Sequence, residues 1–189
     1  MKKTIITIVS ILIVLAIIIA IVVLNQKPKT KLSEMNSAED LAALVKGIYK
    51  GMEDQLPSLM TQTIDVNDAD MVKMTTGLEN GNNLEYAVVS EPMMSSQAYS
   101  LVIVKVKDGV NANEIAKLMS ENVNTRKWIC VSAEKVYATS SGNIAMLVMA
   151  DEDWSKPVYE KFKSLAENVD KEYEKTEEES NIGDFMVVQ

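Results

Sequence analysis

The chain has 189 residues, 47% of them hydrophobic, a net charge of −8, one cysteine and no histidine. Without histidine the commonest general base and metal ligand is missing. This disfavours Ser-His-Asp and Cys-His nucleophilic sites and His-based zinc sites, and leaves carboxylates or lysine for any catalysis. A lone cysteine closes no intramolecular disulfide, so the fold must rest on its core.

The first element is Thr4–Leu24, uncharged and built of Ile, Leu, Val and Ala apart from Thr4, Thr7 and Ser10. At about 1.5 Å per residue such a run makes a helix about 30 Å long, which matches the hydrocarbon core of a bilayer. The run is longer than the apolar part of a signal peptide and ends Ala20-Ile-Val-Val-Leu-Asn rather than in a small-x-small cleavage site. No cysteine follows it to carry lipid. The expectation is an uncleaved single-pass anchor over residues 1–26, with the membrane as partner through Thr4–Leu24. Lys2 and Lys3 face Lys27, Lys29 and Lys31 across it, so the positive-inside rule nearly cancels. The short basic end is then read as inside and the large domain as outside the cytoplasm.

Residues 27–35 form a basic linker in which Pro28 ends the anchor helix. Met1–Lys31 holds five lysines and no acid, so Leu32–Gln189 carries 14 basic against 27 acidic side chains, a net of −13. Such a field repels phosphate backbones and excludes nucleic acid as a partner.

One domain is expected over 36–170. Its first helix starts at Asn36 or Ser37, where Asn36 and Glu39 have capping-box spacing, and Leu41, Leu44, Val45, Ile48 and Met52 mark its apolar face. A short helix is predicted from Asp68 to Thr75, closed by Gly77. Leu84–Ser90 and Tyr99–Lys107 read as strands, the second so aliphatic that both its faces must be covered. After the Asp108-Gly109 turn, Asn111 and Glu114 start a helix with Ile115, Leu118, Met119 and Val123 in its stripe, ending near Asn124. Glu134–Thr139 and Ile144–Ala150 form a hairpin around Ser140-Ser141-Gly142-Asn143. Asp153 or Ser155 caps a last helix, with Pro157 in its first turn and Val158, Phe162, Leu165 and Val169 on one face. Residues 171–189 read as an acidic tail, solvated over Glu172–Ser180.

Two hairpins separated by helices imply an α+β fold: a single N-terminal transmembrane helix, then an antiparallel sheet of about four strands packed with helices. The hairpin-helix unit occurs twice, which allows a two-fold ββα arrangement.

The stretches MMSSQAYSLVIVKVKDG (93–109) and RKWICVSAEKVYATSSGNIAMLVMAD (126–151) resemble a family of uncharacterised extracytoplasmic domains of low-GC Gram-positive bacteria, which start in a membrane anchor or a lipoprotein signal. The resemblance implies a strand-helix-hairpin pattern and brings no catalytic residue with it.

Cys130 lies near two cations, Arg126 and Lys127, which would lower a thiol pKa. Between Ile129 and Val131, with no histidine as base, it reads instead as a buried small hydrophobe. Met71/Met74, Met93/Met94 and Met146/Met149 are thioether pairs of the kind Cu(I) favours. Spacing of three in a strand, however, sends Met146 and Met149 to opposite faces, and Met93-Met94 reads better as an adaptable contact surface. Asp65, Asn67, Asp68 and Asp70 crowd oxygen ligands together but break the EF-hand pattern, with Ala69 fifth and Asp70 in place of glycine, so helix capping accounts for them. Asp151-Glu152-Asp153 reads as the start of the last helix. No catalytic, cofactor or metal residue is assigned. The expected role is a non-enzymatic binding module at the cell envelope with an envelope or membrane protein as partner. The alternative is an envelope enzyme using carboxylates or Cys130.

Overall fold

Each of the five strand pairings in the structure is antiparallel. The computed structural model describes residues 31–177 apart from Ser95. Thr4–Leu24 lies outside the described residues, among which no helix is long and apolar enough to cross a membrane. A turn of 3-10 helix, Leu32–Glu34, leads into α1 (Ala38–Tyr49), β1 (Leu59–Thr63), α2 (Ala69–Thr76), β2 (Leu84–Pro92) and β3 (Tyr99–Val106). α3 (Ala112–Asn122), β4 (Lys135–Ser141), β5 (Ile144–Ala150), α4 (Glu152–Leu165) and β6 (Tyr173–Thr176) follow. The strands lie in the order β1-β2-β3-β5-β4-β6.

The fold is therefore α+β on an antiparallel sheet, and both expected hairpins form. The sheet has six strands rather than about four. The additions are its edges, β1 and β6, which sequence reading passes over because neither has a buried residue to set a period. β6 falls inside the stretch read as a solvated acidic tail, and it is held by pairing Tyr173–Thr176 with Ala138–Lys135.

Helices cover both sheet faces, which is why β3 is apolar throughout. Val102, Val104 and Val106 face α2 and α3 together with Val72, Ile115 and Met119. Leu101 and Ile103 face α1 and α4, packing with Leu41, Val45, Ile48, Val158 and Phe162. Met146 and Met149 split between these two cores as the strand period requires, both fully buried.

The helix ends follow local hydrogen bonding. At α1 the cap is Ser37, whose Oγ accepts from the Asp40 N–H at 3.1 Å, and Asp40 reciprocates toward the Asn36 N–H, so Glu39 has no part in it. Asp68 caps α2, and Gly77 ends it at φ 78°. A Cβ at Gly77 would sit 2.5 Å from the Val123 nitrogen, so glycine also permits the close approach of α2 to the end of α3. Asn111 caps α3, as its spacing predicts. Leu118 is 43% exposed, and Ala112 and Ala116 take its expected place in the buried stripe. α4 starts at Glu152, so neither Asp153 nor Ser155 caps it, and the Ser155 hydroxyl instead donates to the Asp151 carbonyl at 3.0 Å. Pro157 lies in the second turn, on the exposed side of the helix.

Candidate functional site

The long loop between α3 and β4 closes one end of the sheet, and one buried lysine holds it there. The Lys127 ammonium, on a side chain only 10% exposed, donates to Glu91 Oε1 on β2. It also lies 3.3 Å from Ser100 Oγ, while that hydroxyl donates to the same carboxylate oxygen at 2.8 Å. Burial draws Lys127 below the ordinary lysine pKa, and Glu91 holds it up. The ammonium also stands 5.3 Å from the centroid of Trp128, whose ring packs on the core beneath. A charge placed in low dielectric is tolerated where it is paired and hydrogen-bonded, and Lys127 meets both conditions.

This pair sets what surrounds it. Met60 is the register partner of Glu91 across β1 and β2, so the two side chains share a face. Met93 and Met94 follow two and three residues after Glu91, and Ile129 two after Lys127. These four side chains are 43%, 71%, 68% and 72% exposed. Among the described residues only Met74 and Leu118 are comparably exposed large hydrophobics. Four exposed apolar side chains on the segments that this ion pair joins are a feature of the surface that burial does not account for.

Cys130 belongs to the same loop, and here the reading of it as core is corrected. It is exposed and adopts φ 62°, the left-handed region. That backbone kink turns Ile129 and Cys130 outward between two residues, Trp128 and Val131, that pack on the core. The two cations beside it are engaged elsewhere, Arg126 Nε with Glu177 Oε1 at 3.0 Å and Lys127 with Glu91.

The opposite end of β3 carries a second buried cation that sequence reading missed. Lys105, 5% exposed, pairs with Glu85 at 2.9 Å and donates to Asn36 Oδ1 at 3.0 Å. Its only sequence signal is position: it continues the face of Leu101 and Ile103 toward α1. Through Asn36 it fixes where the chain joins the fold, six residues along β3 from Tyr99, or about 20 Å.

Two cavities hold carboxylates. One of about 350 Å³ lies between the start of α1 and the end of α4, lined by Lys31, Glu34, Met35, Asp40, Gly47 and Leu165. There Glu34 pairs with Lys31 at 3.1 Å and Asp40 is a helix cap, its carboxyl lowered chiefly by the Asn36 N–H. Another of about 270 Å³ is lined by Tyr137, Lys156, Tyr159, Glu160, Glu172 and Tyr173. Glu172 accepts from Tyr159 and from Lys163, each at 2.9 Å, and the Lys163 contact lowers it. In both cavities these acids already serve the fold.

The remaining candidates are structural. Asp68 caps α2, and Asp65 accepts from the backbone and side-chain N–H groups of Asn67. Met71 packs on the core while Met74 is 61% exposed. Asp151, Glu152 and Asp153 do start α4. Burial, then Glu134 and Asp153, push the Asp151 carboxyl above its usual range. Comparison with protein-family models, curated proteins and solved structures finds no match to the chain.

Proposed function

We propose that this is a membrane-tethered extracytoplasmic domain, anchored through Thr4–Leu24, that acts as a non-enzymatic binding module for an envelope or membrane protein. The contact surface is the apolar group Met60, Met93, Met94 and Ile129. The observation that carries the reading is the exposure of these four side chains, with Met60 the register partner of Glu91 and the other three within three residues of Glu91 or Lys127, which are ion-paired. They sit at the far end of the sheet from Lys105 and Asn36, where the chain arrives from the segment read as the anchor. A tethered domain with that arrangement presents the patch away from its tether. Thioethers fill irregular partner surfaces well, and the net −13 of Leu32–Gln189 argues against an anionic lipid surface or nucleic acid as the occupant. The resemblance of 93–109 and 126–151 to envelope-facing domains accords with this location.

The test is capture from intact membranes. A photo-crosslinking residue at Met93 or Met94 should yield one dominant protein adduct, lost on Ile129→Glu, while the same probe at exposed Met74 yields none. Equal adducts from both probes would defeat the reading. An enzyme working through carboxylates or Cys130 takes second place, because the cavity acids and the cations beside Cys130 are committed to partners.

A further inference from the structure

β1, which carries Met60, is one edge of the sheet, and its outer side is unpaired. The Ile64 N–H donates to the Ala87 carbonyl at 2.9 Å. Alternate residues of an antiparallel strand bond to the same neighbour, so Met60, Gln62 and Ile64 are the ones that bond to β2. The register agrees, since it sets Pro92, which has no N–H, opposite Leu59, where none is needed. The N–H and C=O groups of Leu59, Thr61 and Thr63 therefore point away from the sheet, and among the described residues nothing bonds to them. Edges are commonly blunted by charged side chains, proline or a bulge. The other edge, β6, carries Glu174 and Lys175, whereas Leu59–Thr63 has no charge, no proline and no shift of register. Both approaches to β1 are acidic. From Gly51 to Val72 the chain has five acids, Glu53 and Asp54 before the strand and Asp65, Asp68 and Asp70 after it, and no lysine or arginine. All five are exposed, and among the described residues none is in an ion pair.

From this we infer that β1 takes an extended segment of the partner protein as a seventh strand beside the six of the sheet, and that this segment is basic at both ends. The inference rests on the contact surface read under Proposed function, to which it adds the mode of binding and the chemistry of the occupant. The outward groups of Leu59, Thr61 and Thr63 supply main-chain hydrogen bonds, which hold a strand whatever its sequence. Selection falls to side chains. A strand about 4.8 Å from β1 lays every second side chain beside Met60 and Gln62, both exposed. Lysine or arginine flanking the paired stretch meets Glu53 and Asp54 at one end and Asp65 and Asp68 at the other, and these attractions also speed encounter. A second copy of the chain does not fit the same edge. Antiparallel pairing of β1 with itself about Thr61 matches the outward groups, but it sets Asp65 of each copy opposite Pro57 of the other, near Glu53 and Asp54, between two domains of net −13 each.

The test follows amide hydrogen exchange by NMR in the full-length chain held in lipid nanodiscs. The probe is a short peptide of alternating valine and threonine flanked by lysines. Without it the Gln62 and Ile64 amides should be protected and those of Thr61 and Thr63 should exchange freely. At a probe concentration about ten times its Kd, Thr61 and Thr63 should slow about tenfold. The same peptide with every amide N-methylated should have no effect, and one flanked by glutamates should bind at least about tenfold more weakly. Thr61→Pro removes an outward N–H but no bond to β2, so it should keep the fold and abolish the slowing at Thr63. No slowing up to about 1 mM probe would overturn the inference, as would equal slowing by the methylated or glutamate-flanked peptides. Slowing that grows with protein concentration in the absence of probe would overturn it in favour of a second copy. If Thr61→Pro leaves the Met93 adduct intact while Ile129→Glu removes it, strand addition is wrong and the contact surface stands. If the lysine-flanked probe protects Thr61 and Thr63 while no Met93 adduct forms, the contact-surface reading falls and the edge still takes a basic strand.

Discussion

Lys127 and Glu91, 36 residues apart, join the α3–β4 loop to β2 through one charge-assisted hydrogen bond that Ser100 shares. The pair ties the loop to β2, alongside the packing of Trp128 and Val131 on the core and the Arg126–Glu177 ion pair. Lys127→Met should leave a partly buried carboxylate and hydroxyl without their donor and cost about 1–3 kcal/mol. Glu91→Gln, which keeps an acceptor, should cost less, and Lys127→Met combined with Glu91→Leu should recover part of the loss. Urea unfolding of the three variants checks the order, and a double variant no better than the first would contradict it.

Cys130 sits at φ 62° with its side chain in solvent, so its backbone matters more than its thiol. Cys130→Ala and Cys130→Ser should each change stability by less than about 0.5 kcal/mol. Cys130→Gly should be neutral or better, whereas Cys130→Val should cost about 1–2 kcal/mol relative to glycine, since a β-branched residue is strained in the left-handed region. A buried cysteine would give the opposite ranking, with serine the worst. Thermal melts of the four variants distinguish the two.

Four of the six tyrosines have phenols held neutral above their ordinary range. Burial pushes Tyr49 up to about 12 and Tyr99 well up, and the two hydroxyls bond at 3.1 Å. A folded-state pKa raised above the unfolded one contributes stability that is present below pH 10 and lost as pH rises toward the folded value. Absorbance at 295 nm should therefore show part of the phenol ionisation delayed above pH 10 and accompanied by unfolding. All six ionising together near pH 10 in a still folded protein would refute this.

Placing Lys at Leu15, in the middle of the apolar run, should cost about 2.5–3.5 kcal/mol of insertion free energy and release part of the protein from membranes. Fractionation of the full-length chain reads the outcome, and unchanged retention would count against a single-span anchor.

The elements whose residues carry their own period were legible in the sequence. Leu41, Val45 and Ile48 repeat at helical spacing, and Tyr99–Val106 could be aliphatic on both sides only if both faces were covered. Asp68, Asn111 and Gly77 marked helix ends because capping is settled within four residues. By contrast, β1 and β6 are strands only because β2 and β4 offer them hydrogen bonds, a condition that no local pattern encodes. Cys130 read as core from its apolar neighbours, yet it sits exposed in a left-handed conformation beside a likewise exposed Ile129. The same holds for the candidate surface. Met60, Met93, Met94 and Ile129 are scattered over seventy positions, and what links the segments that carry them is a strand register and one ion pair between residues far apart in sequence. Local chemistry thus determined the helices, the central strands and their caps, while long-range pairing, which depends on where the whole chain returns, decided the edges of the sheet and the surface it presents.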